Sequence, residues 1–151
     1  MKTTRPRDRD RGQALVEFSL ALIPFLLIFM GITDLGRGIY MSSGANQAAR
    51  EIARATAVHP CDTSSCTLGN SPETLAAIAT QQRLVPNLIP SSVTIACSSI
   101  SDDTIPSTAD QPCESGKFIR VTVSVAYSTV TPLLSMVAPS TLVSTAHVEV
   151  P

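Results

Sequence analysis

Arg11 to Thr33 reads RGQALVEFSLALIPFLLIFMGIT, and from Ala14 to Thr33 it is a run of twenty residues whose only ionisable group is Glu17. At about 1.5 Å per residue, a helix of that length spans the roughly 30 Å of a bilayer core. The fold therefore has to be built outward from a segment that is long and apolar enough to cross a membrane. A charge in such a span is expensive, about 2.5 to 3.5 kcal/mol at the centre of a membrane helix on insertion scales. Glu17 calls for a reason.

Upstream, Lys2, Arg5, Arg7, Arg9 and Arg11 place five of the eleven basic residues in the first twelve positions. Basic residues packed ahead of an apolar run hold that end in the cytoplasm, so the remainder of the chain is expected outside. A cleaved secretory signal competes with this reading, but its apolar part is usually about 7 to 15 residues and ends at a small-x-small site. Here GITDLGRG follows instead. The net charge of -1 gives no electrostatic argument for nucleic acid, and no such partner is expected. The four cysteines, Cys61, Cys66, Cys97 and Cys113, all follow the apolar run, where an oxidising compartment permits disulfides. Three pairings are open; the shortest loops pair Cys61 with Cys66 and Cys97 with Cys113. A zinc site at His59, Cys61 and Cys66 is the alternative, but the spacing is poor and no metal is expected.

The helical pattern continues beyond the span. Leu35, Ile39, Ser42, Ala45, Ala49, Ile52 and Thr56 fall at spacings of three or four, which predicts one helix from about 13 to 58. Ala45, Ala49 and Ala53 recur at every fourth position, with Gly31 and Gly36 upstream, and small residues of this kind let helices approach closely. A turn-rich loop leads to SPETLAAIATQQRLV, in which Ser71 is placed to cap a short helix opened by Pro72 and ended before Pro86. Three strands follow, within SSVTIACSSI, KFIRVTVSVAYSTV and STAHVEV. The expected fold is α+β: a basic leader (1–12), a long N-terminal helix (13–58) containing the span 14–33, and a small disulfide-stapled outer domain (59–151). That domain carries a short helix and a three-stranded antiparallel sheet packed on the outer end of the long helix.

Signatures of catalysis are missing from the sequence. There is no G-x-S-x-G, neither His59 nor His147 has a recognisable orienting partner, and Asp102 with Asp103 reads as a solvated loop. No glycine-rich loop follows a strand, so neither enzymatic activity nor a cofactor is expected.

The most specific residues lie at the start. Gly12-Gln13-Ala14-Leu15-Val16-Glu17-Phe18 behind a basic leader resembles the processing site of type IV prepilins. VEFSLALIPFLLIFMGITDLGR together with AAREIAR resembles the TadE-like family, pseudopilins or minor pilins of tight-adherence (Tad/Flp) pilus systems. Glu17, Phe18, Pro24, Asp34, Gly36 and the Ala48, Ala49, Arg50 cluster stand at that family's recurring positions, and the resemblance covers about residues 11 to 55. It implies cleavage between Gly12 and Gln13 by a prepilin peptidase. It implies that Glu17 sets register against the new amine of a neighbouring subunit, with Phe18 and Pro24 in the packed helix. The implied partners are that peptidase, other pilins and the membrane assembly platform; the implied location is the cytoplasmic membrane, N-terminus inside, and then a pilus. An uncleaved single-span anchor with an outer binding or sensing head is the alternative, and a secreted hydrolase on an uncleaved anchor a more distant one.

Overall fold

The computed structural model describes residues 7–59, 68–98, 113–131, 134–136 and 138–151. Cys61, Cys66, Asp102 and Asp103 lie outside these residues, and with them the Cys61 to Cys66 pairing and the zinc alternative.

Helix α1 runs from Arg7 to Val58 with Pro24 inside it. It begins at Arg7, earlier than the periodicity predicts, and RDRDR contains no helix breaker. Helix α2 spans Pro72–Leu84, and the Ser71 hydroxyl caps it by accepting the Thr74 N–H at 3.2 Å. It stops where Val85 turns extended ahead of Pro86. Strands β1 (Val93–Ser98), β2 (Phe118–Ala126) and β3 (Thr141–Glu149) form an antiparallel sheet in the order β1-β2-β3. The class is α+β, as the sequence predicts. Strand β3 starts at Thr141, three residues before STAHVEV, because pairing of Val125 with Leu142 and Ala126 with Thr141 extends the ladder into the apolar connection.

The described chain divides into two compact units, Met1–Arg37 with Thr129–Ala138, and Gly38–Ser128 with Pro139–Pro151. The second holds the core. Ile119, Val121, Val123 and Val125 alternate along β2 and are fully buried. They share one cluster with Ala45, Ala48, Ala49, Ile52, Ala53 and Ala57 of α1, and with Ile78 of α2. The small alanines let the sheet lie close to the helix backbone. A chain of hydroxyls fixes α2 to α1: Ser71 donates to Thr74 at 2.8 Å, Thr74 to Thr56 at 3.1 Å, and Thr56 to the Ile52 carbonyl at 2.8 Å. Every link is buried and each hydroxyl both donates and accepts, so the polar groups are satisfied within the core. On the other side, the Ser144 hydroxyl of β3 donates to the Asn46 side-chain carbonyl. Cys97, at the end of β1, is bonded to Cys113, sixteen residues on and just ahead of β2.

Candidate functional site

Residues 12 to 30 of α1 are exposed at every position. Leu20, Ile28, Phe18, Phe25 and Phe29 remain more than half accessible. Thirteen large apolar side chains from Leu15 to Ile32 are exposed. Covering each is worth about 1.5 to 3 kcal/mol, so the segment holds on the order of 20 kcal/mol of unrealised burial. That exceeds the roughly 5 to 15 kcal/mol by which a whole domain is stable, so the helix demands a bilayer or other helices around it. Its exposure on all sides suits a lipid environment better than the one-sided contact of a soluble core.

Gly12 and Gln13 lie one turn before Glu17 on this exposed helix, and among the described residues nothing beyond the local chain stands within 4 Å of where a Gly12 Cβ would be. The Gln13 side-chain amide donates to Glu17 Oε1 at 3.0 Å, an i to i+4 contact along the helix. Glu17 thus has a polar partner on its own turn, directed toward the helix start. Pro24 is accommodated inside a continuous α1; in apolar surroundings the freed carbonyl must find compensation in neighbouring groups. Gly31 and Gly36 have open space where a side chain would stand.

Ala45, Ala49 and Ala53, by contrast, are each no more than 1% exposed, within the core of the second unit. The close approach their size permits is made here by the chain's own sheet. Two glycines farther along play a comparable part: a Cβ on Gly38 would meet the Tyr127 hydroxyl at 3.3 Å, and one on Gly44 would meet Val85 at 3.4 Å.

Sequence reasoning singles out Asp34 but misses what it binds. Its ion pair with Arg37, three residues on, is long, 3.9 Å, while the Asp34 side chain is 2% accessible. Its carboxylate instead accepts the Val130 N–H at 3.0 Å and the Thr131 N–H at 2.8 Å. Donation from the Val130 amide, and with it the Thr131 amide, holds the carboxyl below the usual carboxylate range against the opposing effect of burial. The available signal was position: Asp34 is the only acidic residue between Glu17 and Glu51, one place past the apolar run.

Elsewhere, Arg120 Nε donates to His147 Nε2 at 3.1 Å on neighbouring strands. Among the described residues no group of three or more His, Cys, Asp or Glu could hold a metal ion.

Residues 12–54 match the family described as TadE-like protein. The match takes in Gly12 to Phe18, the exposed run, Asp34 and the alanines Ala45, Ala49 and Ala53, close to the extent that the residues themselves suggest. No curated protein and no solved structure matches the chain.

Proposed function

We propose, with the TadE-like segment as premise, that the chain is a minor pilin or pseudopilin of a tight-adherence pilus or related secretion machinery, and that it works by assembly rather than catalysis. The observation that carries this reading is the coincidence of the family match with the fully exposed apolar part of α1. That match and the candidate span together support membrane anchoring.

In this account a prepilin peptidase hydrolyses the Gly12 to Gln13 bond, leaving a carboxylate on Gly12 and an α-ammonium on Gln13. Gly12 favours opening of the helix there, since glycine costs about 1 kcal/mol relative to alanine in a helix interior. Loss of the leader removes five basic residues and leaves six basic and ten acidic ones in 13–151. Moving five Lys or Arg into a bilayer would cost more than about 10 kcal/mol, so cleavage lifts the barrier to drawing the helix outward. Glu17 then meets the Gln13 ammonium of a neighbouring subunit, which offsets the cost of placing both charges among apolar helices and fixes their axial register. Its bond to the Gln13 side chain already points the carboxylate toward that end of the helix. The second unit, with its disulfide, is displayed outside.

Incorporation of Glu17→Ala into sheared pili tests this assignment. The variant is expected to insert and to be processed, yet to be missing from pili. Incorporation at the wild-type level would remove the register role and with it the reason for a carboxylate in the span.

A further inference from the structure

Asp34 lies one residue beyond the apolar run 14–33, so it marks the depth at which α1 leaves the hydrocarbon. At that depth irregular backbone is tolerated only where its N–H groups are satisfied within the protein. Asp34 meets this need for Val130 and Thr131, whose amides both end on its carboxylate. The Ser135 N–H returns to the Thr131 carbonyl at 3.3 Å and closes a turn directly after them. These residues fall in the same compact unit as the apolar part of α1.

What the clasp presents is apolar. Val130 is 64% exposed and Met136 87% exposed. Between Arg120 and His147 the chain contains no Asp, Glu, Lys, Arg or His, and the stretch TVTPLLSMVA at 129–138 is among its most apolar outside the span. An isolated exposed valine or methionine means nothing on a soluble surface. Here Val130 and Thr131 are tied by two hydrogen bonds to Asp34 at the exit turn of an apolar helix, and Met136 follows in the same compact unit. Arg37 stands beside the clasp, half exposed and 3.9 Å from the Asp34 carboxylate.

We propose that the segment around Val130 and Met136 is a second membrane contact, a lipid-facing turn that enters the headgroup and upper acyl region beside α1 and is held at that depth by Asp34. Its partner is the bilayer surface. Together with the span, the turn gives the protein two points of contact with one leaflet and so restrains rotation about α1. Partial burial of a flexible, polarisable methionine suits such a boundary. The proposal rests on insertion of the span and goes beyond the assignment to a pilus.

The chain contains no tryptophan, so single substitutions serve as reporters. Full-length Leu22→Trp, Val130→Trp and Met136→Trp would be reconstituted in phosphatidylcholine and phosphatidylglycerol vesicles, with and without bromine on the acyl chains. Intact Cys97 to Cys113 linkage and far-ultraviolet dichroism would verify the fold of each. Leu22→Trp is expected to be blue-shifted and quenched most by bromine deep in the chain. Met136→Trp and Val130→Trp are expected to be blue-shifted and quenched most by bromine near the headgroup, and adding Asp34→Asn should weaken that quenching. Quenching at Leu22→Trp with water-like, unquenched emission at both turn positions would overturn the proposal and leave the span intact. Lack of quenching at Leu22→Trp would overturn the membrane reading on which it rests. A blue shift at the turn that ignores bromine and vanishes on dilution in lipid would assign the surface to a neighbouring copy and overturn the lipid contact. Turn quenching unchanged by Asp34→Asn would overturn the holding role of Asp34.

Discussion

Asp34 and Glu17 are both single carboxylates on one helix, and their surroundings give them different work. Glu17 is exposed and bonded to a side chain one turn away, which leaves it open to exchange partners when a new charge appears nearby. Asp34 is almost wholly covered and receives two backbone amides from far along the chain, so it holds a segment in place. A carboxyl held below its usual range in the folded state contributes stability above the unfolded value and loses it as pH falls through the folded one. The protection factors of the Val130 and Thr131 amides are therefore expected to be high at neutral pH and to decline on acidification through and below the carboxylate range. In Asp34→Asn they should already be low at neutral pH and change little over that window. Equal protection in the variant would mean that other bonds hold the loop.

At the scale of elements, α1 does two jobs divided along its length, and substitutions at its small residues separate them. Ala49 is fully buried against the core, so Ala49→Leu should cost about 1 to 3 kcal/mol through overpacking, read as a lower midpoint of unfolding. Gly36 has open space around it, so Gly36→Ala should raise helix stability by up to about 1 kcal/mol. If a neighbouring helix occupies that space in a pilus, the same change reduces incorporation while the isolated protein melts no lower. The contrast also shows how far the sequence could be read. Periodicity marks Ala45, Ala49 and Ala53 as one stripe and KFIRVTVSVAYSTV as a strand, because both patterns are local consequences of helix and strand geometry. What covers the alanine stripe is a tertiary fact that spacing alone does not contain. The same holds for Asp34: its partners are backbone amides nearly a hundred residues away, and amides carry no side-chain identity for a sequence pattern to expose.

For the whole molecule, the proposal is that the exposed apolar part of α1, a basic leader and a small core-bearing unit act in one sequence of events: insertion, removal of the leader and withdrawal into an assembly. Its central claim is that the covalent chain changes at Gly12 before the protein acts. Intact mass of the protein isolated from membranes and from pili, in cells with and without a prepilin peptidase, tests that claim most directly. The account predicts a chain beginning at Gln13 in the first cells and the full-length chain, excluded from pili, in the second. A chain still carrying residues 1–12 in cells with an active peptidase, or present in their pili, would contradict it and leave the uncleaved anchor as the better description.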